Sequence, residues 1–175
     1  MAVLLRQEGE GCCGVFNTEG ELVEAAISML RSGARSRRRS HWGPVELITE
    51  WDYRHGRADI LLRTRTGALI AIEAKLTRWQ SACEQAYRNT AYATSAYVLL
   101  PASVAERALR YRSRFDDMQI GLCALSADCL DVLIEAPVVT PLMRWVTDLA
   151  HSTFDGLKDA GRQSRRNRAS GLCNA

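Results

Sequence analysis

The chain contains almost no lysine. Among 23 basic residues only Lys75 and Lys158 are lysines, and the rest are arginines. A lysine at a given place is therefore a departure from the chain's habit. Long apolar runs are also missing: none approaches the roughly 18 residues of a membrane span. The first residues lack the basic, apolar and small-residue order of a signal peptide. Cys12, Cys13, Cys83, Cys123, Cys129 and Cys173 show no CxxC pairing. That excludes the usual zinc spacings, and a chain of this size needs no disulfide framework. Reduced thiols in a cytoplasmic protein are the expectation. There is no internal repeat and no separate DNA-reading motif.

What is present fits one soluble domain. The 175 residues have ordinary apolar content and a formal net charge of +3. Charge distribution says more than the total. Arg31, Arg35, Arg37, Arg38 and Arg39 form one cluster, and Arg162, Arg165, Arg166 and Arg168 form another. Clusters of this kind suit phosphate backbones, or else are solvated loops. Composition divides the chain into a loose arm over 1–17, a single domain over 18–160 and a basic flexible tail over 161–175.

Local signals predict the elements. Thr18-Glu19-Gly20-Glu21 is a capping box, opening a helix with an apolar face of Leu22, Val23, Ala26, Ile27 and Leu30. Val45 to Tyr53, Arg57 to Arg65 and Ala68 to Leu76 predict a three-strand meander, with turns at His55-Gly56 and Thr66-Gly67. Thr77 to Gln80 reads as a second capping box. Its helix would place Trp79, Cys83, Ala86, Thr90 and Ala93 inward, and Arg78, Gln85, Arg88 and Tyr92 on another face. Ser95 to Leu100 predicts a buried strand, parallel to its neighbour after the crossover. Ser103 to Glu106 is a third box, for a helix reaching about Met118. Two strands, Ile120–Leu125 and Leu130–Ala136, follow. A last helix is capped at Thr140-Pro141, with Leu142, Trp145, Val146 and Leu149 as its apolar stripe.

The chemistry gathers between Arg57 and Lys75. In the run Ile70 to Thr77, alternation puts Glu73 and Lys75 on one face of a strand. Asp59 lies near the start of the strand that the turn folds back beside it. Two carboxylates at close range repel unless a cation sits between them. Hard oxygen donors suit Mg²⁺ or Mn²⁺. The plain alternative is a cross-strand ion-pair set on a solvated sheet.

Asp59 followed by Glu73-Ala74-Lys75 after a hairpin resembles the PD-(D/E)xK nuclease superfamily, with Ala58 where the motif name has proline. The resemblance covers roughly Thr18 to Ala136. Glu73 through Trp79 and Tyr97 through Pro101 are also similar to bacterial nuclease-like proteins of undefined role. It implies an α/β restriction-endonuclease-like αβββαβ core: a central mixed sheet flanked by helices, here with additional C-terminal strands and a helix. It further implies a Mg²⁺- or Mn²⁺-dependent DNA endonuclease or exonuclease leaving 5′-phosphates. Asp59, Glu73 and the Ala74 carbonyl would hold the metal, and Lys75 would position or deprotonate the attacking water. An acid of the first helix would complete the site: Glu24, since Glu21 is already the capping-box acid. Gln85, Arg78 and the Arg37–Arg38–Arg39 cluster would meet DNA. A homodimer is compatible with this reading, and a membrane is not part of it. The alternative is a catalytically inactive nuclease-like module that binds nucleic acid or protein.

Overall fold

In the computed structural model, which describes residues 16–33, 41–54 and 56–171, three antiparallel strands grow into a mixed sheet of six. Strands β1 (Val45–Tyr53), β2 (Gly56–Thr64) and β3 (Leu69–Ala74) form the meander. Gly67 at φ 87° closes the β2–β3 turn in a backbone region that favours glycine. Helix α2 (Trp79–Asn89) then crosses over, so that β4 (Ser95–Pro101) returns parallel to β3. Strand β5 (Gly121–Leu125) adds in parallel and β6 (Leu130–Ile134) antiparallel, giving the order β1-β2-β3-β4-β5-β6. A six-stranded mixed sheet flanked by helices is an α/β architecture.

Strand alternation divides the buried residues between two faces. Ile60, Leu62, Ile70, Ile72, Ala74, Tyr97 and Leu99 pack with Leu22, Ala26 and Leu30 of helix α1 (Glu19–Gly33). Leu61, Leu69 and Ala71 face the other way, against Tyr92, Val146, Ala150 and Phe154. Ala96, Val98 and Leu100 on that side meet Ala82, Cys83 and Ala86 of α2 and Phe115. β3 and β4 are covered on both faces, which is why their sequences are nearly continuous apolar runs.

Several helix boundaries differ from the expectation. The α1 cap forms at Thr18: the Glu21 amide donates to Thr18 Oγ1 at 3.1 Å, and the Glu21 carboxylate reaches one residue past the cap to accept from the Asn17 amide at 2.8 Å. The other two boxes do not. Arg78 is the N-cap of α2 and Pro101 that of α3 (Ala102–Leu109), neither with a side-chain capping bond. The segment expected to run unbroken to Met118 is two helices, α3 and α4 (Arg112–Asp117). Helix α5 (Arg144–Gly171) begins three residues after Pro141 and continues through the expected tail boundary at Gly161. Its inward stripe is Val146, Ala150 and Phe154, while Leu142, Trp145 and Leu149 are exposed. A spacing of four along α5 keeps that stripe over β1 and β2, and Leu142 precedes the helix altogether. Tyr92, expected on a polar face, is fully buried beyond the end of α2. Among the described residues no helix is long and apolar enough to cross a membrane. The 1–15 part of the N-terminal arm, Arg37, Arg38, Arg39 and His55 lie outside the described residues.

Candidate functional site at the end of β3

The site forms where the β2–β3 ladder stops. Regular pairing runs from Arg63↔Leu69 to Ile60↔Ile72, and Asp59 and Glu73 come next on the two strands. There the Asp59 side chain takes over from the backbone: its Oδ2 accepts the Ala74 amide at 2.8 Å. On the other side of Asp59, β1 pairs through Thr49↔Ile60 and Trp51↔Ala58. Glu50, between those two pairs and so opposite Asp59, is held at φ 49°. A non-glycine residue in the left-handed region is costly and recurs at functional sites. The sheet is thus interrupted on both sides of Asp59.

Glu73 is 1% exposed and lies on the α2 face of the sheet. Its Oε1 accepts a 2.6 Å hydrogen bond from Asn89 Nδ2. Burial, and next the charge of Asp59, push its carboxyl up to about 8; the Asn89 bond and the charge of Lys75 pull the other way. At neutral pH in the absence of a cation, Glu73 therefore keeps a proton that an ordinary glutamate has lost.

Lys75 follows the last residue of β3, and its amide donates to the Leu99 carbonyl at 3.1 Å. Its Nζ pairs with Glu19 Oε2 at 2.8 Å. The α1 acid that reaches the site is thus Glu19, and the expectation of Glu24 is corrected. At 100° per residue, Glu24 sits about 200° around the helix from the buried Leu22, and it is exposed. Glu21 is engaged by the cap.

The other expected residues fall at different distances from this centre. Arg78 is exposed at the N-cap of α2, just after Lys75. Gln85 stands one helical turn before Asn89 on the same face of α2, with its Oε1 buried and without a hydrogen-bond partner. The Tyr92 hydroxyl is likewise buried without a partner, and Glu73's charge reaches it. Sequence reasoning missed Asn89 and Glu19. Asn89 carried a usable signal, its spacing of four from Gln85; Glu19 looked like an ordinary first-turn acid.

The donor set fits a small hard cation that completes its shell with water. Asp59 and Glu73 each have one carboxylate oxygen engaged, by the Ala74 amide and by Asn89, which leaves one oxygen each. Mg²⁺ is commonly held by one or two carboxylates together with waters and a substrate phosphate. Among the described residues no three His, Cys, Asp or Glu side chains converge, so an all-protein cage of the zinc or calcium kind is not built here.

A protein of unknown function from Silicibacter pomeroyi, SPO1766, has a similar solved structure, with a TM-score of 0.59 at 14% identity over 89% of this chain and 96% of that one. That likeness is one of fold and brings no activity with it. No protein-family model and no curated protein matches the chain.

Proposed function

We propose that this chain is a metal-dependent nuclease with a restriction-endonuclease-like core, hydrolysing phosphodiester bonds in DNA to leave 5′-phosphates. One observation carries the reading. Asp59 and Glu73, fourteen residues apart in sequence, meet at the end of β3 with Glu73 buried and repelled by Asp59. An ion-pair set would neutralise itself. Glu73 instead keeps a proton where a cation could sit. The element order α1-β1-β2-β3-α2-β4, with β3 and β4 parallel, agrees with the proposed αβββαβ core.

Each residue then has a role. Asp59 and Glu73 would hold Mg²⁺ or Mn²⁺, with the Ala74 carbonyl as a further donor. When bound, such an ion lowers the pKa of water and offsets charge on a phosphate. Asn89 fixes the Glu73 carboxylate through Oε1, leaving Oε2 for other partners. Lys75 stands beside the pair and orients a water against the phosphate, and its donors balance charge as the phosphate becomes more anionic. Glu19 holds Lys75 in place at 2.8 Å. Arg78, exposed beside Lys75, would meet the DNA backbone.

The test is cleavage of plasmid and linear DNA with Mg²⁺. Asp59→Asn and Glu73→Gln should each reduce cleavage to background while melting as cooperatively as the parent chain. Cleavage that survives EDTA, or that survives in both variants, would overturn the proposal.

A further inference from the structure

We propose that the groove between the end of α2, the end of β1 and the connection over 137–143 binds one unpaired nucleotide of the DNA strand. The choice of polymer rests on the nuclease reading; the groove itself does not.

The groove has a volume of about 740 Å³, within the range of small-ligand sites and too small for a duplex. Three of the most exposed large apolar side chains among the described residues line it: Tyr87 at 53%, Val138 at 80% and Leu142 at 89%. Exposed apolar groups gathered in one concavity mark a binding surface. The far wall is fixed in place. The Val139 amide donates to the Thr94 carbonyl at 2.8 Å, and the Met143 amide to the Ala91 carbonyl at 2.7 Å. Gln119, also on the lining, is held at φ 54°. It and Glu50 are the only non-glycine residues with positive φ among the described residues. One strained residue therefore faces Asp59 and the other faces the groove.

Charge selects the occupant. Arg88 is the sole charged side chain on the lining. Its Nε donates to the Glu84 carbonyl at 3.2 Å, while the Glu84 carboxylate pairs with Arg114 instead. Among the described residues no carboxylate pairs with Arg88. An apolar helix docking here would bury that cation without a counter-charge, at a cost. A nucleotide supplies both halves: a base to stack on Tyr87 against Val138 and Leu142, and a phosphate for Arg88. Every base has a π face, so such a site accepts any sequence.

The groove also adjoins the candidate active site. Tyr53 on its lining packs against Trp51 and Tyr92, with ring centroids 5.2 and 4.9 Å away. The same phenol is pushed up by burial and then by the charge of Glu73, and pulled down by Arg88. A strand with one base in the groove would have its backbone held at the rim, next to the elements that carry Asp59 and Glu73.

The experiment is fluorescence anisotropy in EDTA, with a labelled five-nucleotide oligo-dT strand and a blunt-ended duplex as probes. The parent chain should bind the single strand more tightly than the duplex end. Tyr87→Ser and Arg88→Gln should each weaken single-strand binding about tenfold without moving the thermal midpoint. Arg88→Gln should also make the salt slope shallower by about 0.7. Tyr87 is half-exposed and Arg88 is exposed, so both variants should fold. Equal single-strand affinity in parent and variants would overturn the proposal. So would no single-strand binding by the parent, or a change in sedimentation mass in the variants, which would mark a protein-docking face. The two readings fail separately. Variant-sensitive binding by a parent that never cleaves leaves the groove and removes the nuclease. Mg²⁺-dependent cleavage with variant-insensitive binding does the reverse.

Discussion

Two buried ionisable side chains lie on the same face of the β2–β3 hairpin, and they are treated in opposite ways. Arg63, 8% exposed, is surrounded by partners. Glu46 accepts from its Nε at 2.7 Å, Asp155 from its Nη1 at 2.9 Å, and the His151 carbonyl from Nη1 at 3.3 Å. The Phe154 ring lies 4.8 Å from the guanidinium carbon, and Lys158 pairs with the same Glu46. A groove of about 520 Å³ opens beside it, but its charges already answer one another. Glu73, more deeply buried, has one hydrogen-bond donor and a like charge next to it. The first arrangement pins α5 to β1 and β2. The second is left short of positive charge, which a structural site would not require. A buried ionisable group met by opposite charges points to architecture, and one met by a like-charged neighbour points to a missing ligand.

The largest effect expected from breaking this contrast is at Lys75. Lys75→Arg keeps the cation and can keep the Glu19 pair, but a guanidinium is planar, bulkier and always protonated. Turnover on saturating DNA with Mg²⁺ should fall about 100-fold with the thermal midpoint unchanged. Near-parental turnover would remove Lys75 from the chemistry and leave it an ion-pair residue. Glu19→Gln should lower turnover by a smaller factor, and Glu24→Gln should be silent, because only Glu19 touches Lys75.

Arg63→Ala should do the opposite. It leaves Asp155 without its ion-pair partner and Glu46 with Lys158 alone, and it removes the ring contact. Both acids stay partly solvated, so the expected loss is roughly 2–3 kcal/mol by chemical denaturation, and cleavage per folded molecule should hold. Lost cleavage at full stability would mean that the Arg63 groove belongs to the active site.

The smallest expected effect is a pH dependence. Glu73 titrates near 4.5 in an unfolded chain and at about 8 in the fold, so the folded protein holds that proton more tightly. The associated stability is fully present below about pH 4.5 and is lost as pH rises through about 8. In EDTA the thermal midpoint should therefore drop by a few degrees between about pH 5 and about pH 9, and Glu73→Gln should flatten that slope. Mg²⁺ should restore stability most at the high-pH end, where Glu73 has lost its proton. A parental slope in Glu73→Gln would assign the titration to another group.

Sequence by itself determined the strands and the first helix of this protein. Period-2 alternation and turn residues placed β1 over Val45–Tyr53 and β2 to β6 to within two residues at each end. The α1 cap could be read because both of its hydrogen bonds are local, between residues at most four apart. The nearness of Asp59 to Glu73 was legible for a similar reason, since a tight turn at Gly67 fixes the register of the hairpin. Only the tertiary structure decided what surrounds that pair. Asn89 and Glu19 come from two helices packed on opposite sides of the sheet, 16 and 56 residues from their partners. Their arrival depends on how α2 and α1 are rotated about their axes. The whole buried face of each helix sets that rotation, and no short-range pattern encodes it. The same holds for α5, whose two apolar stripes look equivalent in sequence and were separated only by which one found β1 and β2 to cover it.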